Sequence, residues 1–195
     1  MKKLKYVLPI LLLVNILCMM DVSIMTIVLP EIQSAFNESL SNLSWAINIY
    51  TIIFASLIIP FGRLAERVGK NKFVFTGLLI FGTGSFLTGI AGDLPFMLFA
   101  RAIQSTGAAM IIPTSMVIAL ELTNDDSRNK TVGALAGSQG LAVALGPAIG
   151  GVVSQYLGWR WVFFINIPLI LLVLIIFPLV LPLRKEKKRL PNQFH

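Results

Sequence analysis

The chain has 195 residues, 56% of them hydrophobic and only 13% charged. That charged share is about half that of a soluble domain, so a water-soluble core of this size could not hide the apolar side chains. The formal net charge of +7 comes in short clusters between apolar runs and at the C-terminus, not on one folded basic face, which excludes nucleic acid as a partner. A single cysteine, Cys18, and a single histidine, His195, exclude a disulfide framework and a Cys/His metal site.

A bilayer core of about 30 Å asks for about 20 mostly apolar residues per helix. The first run that meets this is 6–28. Lys2, Lys3 and Lys5 precede it as they would a signal peptide, but the run is too long for one, contains Asp21 and leads to no small-residue cleavage site. Turn-forming and polar residues at 30–44 separate it from a second span at 45–61, and the charged stretch 62–72 leads to a third at 73–91. After Gly92 and Asp93 the fourth span, 94–122, opens with Pro95 in its first turn, where a missing N–H is harmless. Residues 123–130 then lead to a fifth span at 131–157, and 158–160 to a sixth at 161–183. The predicted fold is all-α and integral to the membrane: a six-helix transmembrane bundle over 1–183 and a basic cytoplasmic tail over 184–195.

Lysine and arginine set the orientation. With the N-terminus inside, fourteen of the sixteen lie in cytoplasmic segments, Arg160 alone lies outside, and Arg101 lies within a span. The predicted location is the plasma membrane, multi-pass, with both termini cytoplasmic. Trp45, Trp159 and Trp161 then fall at the external interface, where amphipathic rings are favoured.

Lipid should exclude ionisable groups, yet Asp21 and Arg101 stand in the first and fourth spans. Such a group costs at least about 2.5–3.5 kcal/mol at mid-membrane, so it faces a partner or a water-filled path. Counted at about 1.5 Å per residue from the span edges, both lie in the outer third at nearly the same depth. They fit a proton site with its modulator, or a plain ion pair that holds two helices; a pair that titrates can do both. Each stands on the first helix of a triplet, as two inverted three-helix repeats would place them, and Pro60 and Pro147 fall on the corresponding middle helices. The fifth span carries Gly133, Gly137, Gly140, Gly146, Pro147, Gly150 and Gly151. Glycines at such spacing predict close helix approach, and Pro147 a local break in the backbone bonding. Tight packing without a moving part is the competing account of that span.

Five segments in order carry a family resemblance. They are Asp21-Val22-Ser23-Ile24-Met25-Thr26-Ile27-Val28-Leu29-Pro30; Gly62-Arg63-Leu64-Ala65-Glu66-Arg67-Val68-Gly69-Lys70; Arg101-Ala102-Ile103-Gln104-Ser105; Gly146-Pro147 followed by Gly150-Gly151; and Gly158-Trp159-Arg160-Trp161 through Asn166-Ile167-Pro168. The chain resembles the N-terminal half of a major facilitator superfamily transporter, and within it a drug:proton antiporter of the fourteen-span EmrB/QacA type. It departs from that pattern at Thr26, Val28, Glu66, Asn71 and Ser105.

The resemblance implies secondary active, proton-coupled efflux of drugs or other small lipophilic compounds. The partners it implies are the lipid bilayer, the substrate, protons and a second six-helix half. No cofactor is expected, since the energy source is a proton gradient. In that frame Asp21 is the proton acceptor: burial disfavours its charge while Arg101 favours it, and Gln104 holds Arg101. Gly62, Glu66, Arg67, Gly69 and Lys70 form a cytoplasmic gate loop, with Glu121, or alternatively Asp125, as the ion-pair partner of Lys70. Gly146, Pro147, Gly150 and Gly151 form the antiporter motif.

The chain has no phosphate-binding loop, because Leu64 replaces the early glycine before Gly69-Lys70 and Asn71 follows. There is no nucleophile elbow either, and an enzyme is not expected. The superfamily builds its path between two six-helix halves, so the chain is expected to be a truncated half of an efflux pump. The alternatives are a half-transporter that pairs with itself or another half, and a non-transporting membrane scaffold.

Overall fold

In lipid a run of apolar residues can satisfy its own backbone N–H and C=O groups only as a helix or a closed barrel. The computed structural model, which describes residues 2–183, takes the helical solution throughout. The elements are α1 (Lys2–Phe36), α2 (Leu40–Leu43), α3 (Trp45–Val68), α4 (Lys70–Gly89), α5 (Leu94–Glu121), a 3₁₀ turn (Asp125–Ser127), α6 (Arg128–Leu157), α7 (Trp159–Phe164) and α8 (Asn166–Val180). Among the described residues six helical stretches are long and apolar enough to cross a membrane, with α2–α3 and α7–α8 each counting as one. The predicted basic tail at 184–195 and the side chains of Lys2 and Lys3 lie outside the described residues.

The linkers are shorter than the sequence suggests. The predicted loop 62–72 shrinks to Gly69 alone, because Arg63, Glu66 and Arg67 are exposed residues on the last turns of α3. Gly69 has φ +108 and so occupies a region open to glycine without a Cβ penalty. Gly158, at φ +88, makes the same one-residue turn between α6 and α7. The predicted end of the first span at Pro30 is also overrun, since α1 continues to Phe36. Proline removes one helical hydrogen bond and disfavours helix at the residue before it. Packing beyond it outweighs that cost: Ile32 is fully buried, and Phe36 meets Trp159 edge-on at 5.7 Å.

The sixth span corrects the sequence reading in the other direction. Helix begins at Trp159 rather than 161, and it breaks at Ile165. Pro168 has no N–H to offer the carbonyl of Phe164 four residues earlier, which accounts for the break. At the start of α5 the expectation matches: Asp93 Oδ1 accepts from the Phe96 N–H at 2.8 Å, one turn past the cap.

α5 is the central helix, packed against α4, α3 and α1, while α6 lies along α1. The interior divides into two apolar clusters. One takes Val7, Leu11, Val14 and Cys18 of α1 with Ala108, Ile111 and Ala119 of α5. The other takes Met25, Val28 and Ile32 of α1 with Leu94 and Met97 of α5. Asp21 and Arg101 lie at the junction of the two.

Glycines permit the closest helix approaches, though not chiefly on α6. On α4 and α5, a Cβ at Gly84 would lie 2.5 Å from the Cα of Gln104, and one at Gly107 2.7 Å from the carbonyl oxygen of Gly77. On α6, Gly146 and Gly150 abut Ser23 and Ile24 of α1, but a Cβ at Gly133, Gly137, Gly140 or Gly151 would meet nothing within 4 Å. Those four glycines do not mediate helix packing within the described residues.

Candidate functional site

Three helices converge where the two apolar clusters meet. α1 contributes Asp21, α3 contributes Ala46 and Tyr50, and α5 contributes Arg101, Gln104 and Ser105. Asp21 is 2% exposed, and Arg101 and Gln104 are fully buried. A carboxylate or a guanidinium alone at such a place would carry a desolvation cost of several kcal/mol, which only direct pairing with further hydrogen bonds can offset.

The three polar groups form a closed loop. Arg101 Nη1 donates to Asp21 Oδ2 and, at 2.8 Å, to Gln104 Oε1. Gln104 Nε2 donates at 2.8 Å to the other carboxylate oxygen, Oδ1. The spacing of Arg101 and Gln104, three residues apart on one helix, puts both on the same face, one turn from each other. The sequence pairing of Asp21, Arg101 and Gln104 is therefore brought together in full.

α3 closes the site. Arg101 Nε donates to the Ala46 carbonyl at 3.3 Å, and the guanidinium carbon sits 4.4 Å from the centre of the Tyr50 ring. Ser105 Oγ donates to the Tyr50 carbonyl at 2.5 Å, and the Phe163 ring centre lies 6.0 Å from the same guanidinium. Tyr50 was not legible in the sequence, where a tyrosine inside a span reads as one more apolar position.

The motif glycines Gly146 and Gly150 seat α6 on α1 close to Asp21. Ser23, two residues from Asp21, donates to Met20 O at 3.0 Å and to Ala142 O of α6 at 3.5 Å. Pro147 is partly exposed beside them, and Gly151 is open. A second polar link joins the same helices nearer the start of α1: Gln139 Nε2 donates to Asn15 Oδ1 at 3.0 Å, and Asn15 Nδ2 to Leu11 O at 2.7 Å. Asn15 interrupts an apolar run and could have been singled out on that ground. A third link, Ser154 Oγ to Glu31 Oε1, involves a carboxylate that the sequence pattern places in a loop.

The residues expected to form a cytoplasmic gate lie at the other end of α3. Lys70, the first residue of α4, pairs with Glu121, the last of α5. Each sits at the end of its helix where the macrodipole disfavours its charge, and the pairing offsets both penalties. Glu66 and Arg67 are exposed, and a Cβ at Gly62 would meet nothing within 4 Å. So the structure joins Lys70 to Glu121 but does not draw Gly62, Glu66 and Arg67 into the same contact. Of the three tryptophans, Trp45 and Trp161 are exposed, whereas Trp159 is buried against Phe36 and Phe163, with the Arg160 guanidinium 4.3 Å over its ring. Trp159 is thus a core residue and not one facing lipid.

Known proteins share this arrangement of helices. The sequence model of the Major Facilitator Superfamily matches residues 11–195. A lincomycin resistance protein of Streptomyces lincolnensis is 32% identical over 161 residues, covering 83% of this chain and 33% of that protein. A methylenomycin A resistance protein of Bacillus subtilis is 32% identical over 151 residues, covering 77% of this chain and 32% of its own length. The chain spans about a third of the length of the curated relatives it matches. A crystal structure of the peptide transporter POT with bound sulfate has the same fold at TM-score 0.76 and 19% identity, covering 87% of this chain and 36% of that one. The family match over nearly the whole chain, and six membrane-length helices arranged as in the N-terminal part of such transporters, make this chain a member of the Major Facilitator Superfamily.

Proposed function

We propose that this chain supplies the N-terminal half of a fourteen-span drug:proton antiporter, which expels small lipophilic compounds in exchange for protons. The observation that carries the reading is the closed loop of Asp21, Arg101 and Gln104. Both carboxylate oxygens act as acceptors in it. A proton on either oxygen turns an acceptor into a donor, and the loop cannot then keep all its bonds. If Oδ1 is protonated it faces the Gln104 Nε2 donor. Turning the Gln104 amide to accept that proton removes the acceptor Oε1 from Arg101. One proton thus forces a rearrangement shared by α1 and α5, which is what coupling a proton to a change of access requires.

The relatives support the substrate class, being named for resistance to lincomycin, puromycin and methylenomycin A. The distribution of lysine and arginine supports cytoplasmic termini. A second six-helix half, from another copy or another segment, completes the path in this reading, and the Lys70–Glu121 pair with the charged end of α3 gates the cytoplasmic side.

The test is transport in proteoliposomes carrying the chain, alone and completed by a second half, under an imposed pH gradient. The completed transporter should move a lipophilic dye against its gradient, lose that activity with a protonophore, and ignore added nucleotide. Asp21→Asn should abolish the pH-driven component. If dye movement persists undiminished in Asp21→Asn, the proton assignment is wrong. Orientation is checked by labelling Ser39→Cys from outside and Asn129→Cys from inside. Both positions are exposed, while the native Cys18 is fully buried and silent.

A further inference from the structure

The hydrogen bonds that fix Arg101 lie in the plane of its guanidinium: Nε to Ala46 O, and Nη1 to Asp21 and Gln104. In-plane bonds leave movement perpendicular to that plane weakly opposed. The remaining hold on the guanidinium is aromatic: its carbon lies over the Tyr50 ring, 4.4 Å from the ring centre, with the Phe163 ring farther off at 6.0 Å. Tyr50 is itself held, being 2% exposed, with its backbone carbonyl bonded by Ser105 of α5. An arginine over an aromatic face gains most where it is desolvated, and Arg101 is fully buried. The Tyr50 hydroxyl, by contrast, reaches Cys18 O only at 3.5 Å, the outer limit of a hydrogen bond. The ring therefore matters more than the hydroxyl.

We propose that Tyr50 is a positioning residue of the charge site: its ring face holds the Arg101 guanidinium on the Asp21 carboxylate and ties the state of that carboxylate to α3. This rests on the transport reading above and deepens it. α3 carries Tyr50 near one end and the charged residues Arg63, Glu66 and Arg67 at the other, in one unbroken helix from Trp45 to Val68. Arg101 bonds the Asp21 carboxylate while its Nε bonds the Ala46 carbonyl and its guanidinium carbon lies over the Tyr50 ring, so a change at Asp21 reaches α3 through this one side chain.

The experiment is carbodiimide labelling of Asp21 in the purified full chain in lipid nanodiscs, followed by peptide mass spectrometry, with Asp21→Asn as the blank. Carbodiimides react with neutral carboxyl groups in apolar surroundings, so labelling should be slow while Arg101 stays bonded to the Asp21 carboxylate. Tyr50→Phe keeps the face and should label within about twofold of wild type, whereas Tyr50→Leu and Tyr50→Met lose it and should label at least about tenfold faster. Wild-type rates in the aliphatic variants, or a Phe variant as fast as they are, would overturn the proposal. If circular dichroism shows the aliphatic variants unfolded, Tyr50→Trp decides. It keeps a π face with a poorer fit, so slow labelling supports the proposal and fast labelling refutes it. Labelling needs no gradient and no substrate, so its result is independent of the Asp21→Asn transport test: failure there with the expected labelling pattern sinks the transport reading alone.

Discussion

Gly84 of α4 and Gln104 of α5 touch backbone to backbone: a Cβ on Gly84 would stand 2.5 Å from the Gln104 Cα and 2.6 Å from its Cβ. The residue that bonds both Asp21 and Arg101 thus takes its position from a helix that contributes no side chain to the site. Gly107, one turn further along α5, makes the reciprocal approach to Gly77 and Phe81. The α4–α5 crossing is in this way the support on which the charge site is built.

Gly84→Ala should therefore be costly. The obstructing atoms are backbone, so no rotamer change relieves them, and overpacking of this kind costs about 1–3 kcal/mol. Melting in detergent should show a clear drop, and Gln104 should shift away from Asp21. Gly62→Ala is the matched control, because a Cβ there meets nothing within 4 Å and a helix-interior alanine gains up to about 1 kcal/mol over glycine. Equal melting temperatures for the two variants would show that the crossing can relax around an added methyl group.

The same logic separates the glycines of α6. At Gly146 an added Cβ would press on the Ser23 side chain, 3.0 Å from its Cβ. Gly146→Ala should destabilise, and adding Ser23→Ala, which removes the nearest atom, should recover part of the loss. Gly137→Ala should be neutral or slightly stabilising in the isolated chain, as its Cβ meets nothing. Thermal melts of the four variants check this, and a Ser23→Ala background that gives Gly146→Ala no relief would place the strain elsewhere.

The charge site is legible in the sequence because lipid makes ionisable residues conspicuous, and equal depth pairs Asp21 with Arg101. Span number is legible for the same reason, since hydropathy and charge separate sharply in such a chain. Helix ends are not. Pro30 and the charged residues at 63–67 resemble loop sequence, yet Ile32 and Phe36 find packing beyond the first, and the second are simply the wet turns of a helix. Glycine content points to α6, whereas the tightest backbone contacts involve Gly77, Gly84 and Gly107. Which glycine faces a neighbour depends on helix rotation, and the nearly uniform apolar character of these spans leaves that rotation undetermined. Tyr50 escapes notice because its role comes from the neighbour it meets and not from its own polarity.

Lys70 and Glu121 offer a test in which stability and function should part. Exposed pairs contribute only about 0–1 kcal/mol; the Glu121 side chain is 47% exposed and that of Lys70 12%, so Glu121→Gln, made on the exposed side of the pair, should melt close to wild type. The exchange Lys70→Glu with Glu121→Lys would place an acid at the start of α4 and a base at the end of α5, both favoured by the helix dipoles. The exchanged variant should be at least as stable as wild type. If the pair gates the cytoplasmic side by its orientation toward other groups, the exchange should still impair transport in the completed protein. Full transport by the exchanged variant would reduce the pair to a helix-end contact.

The sharpest prediction concerns the order of damage within the charge loop itself. Removing one partner of a buried ion pair costs about 3–5 kcal/mol because the other charge is stranded, but the two partners are not stranded equally. After Asp21→Asn, Arg101 keeps the Ala46 carbonyl, Gln104 Oε1 and the Tyr50 face, and the new amide still offers an oxygen. After Arg101→Ala, Asp21 keeps only the Gln104 amide in a site closed to water. Arg101→Ala should therefore lower the melting temperature more than Asp21→Asn. The double variant Asp21→Asn with Arg101→Gln removes both charges while leaving hydrogen-bonding groups in place. It should recover stability close to wild type yet show no pH-driven transport in the completed protein. If the double variant melts no higher than Arg101→Ala alone, the cost is lost packing of the arginine and not a stranded charge. If it transports, the loop holds helices together and carries no proton.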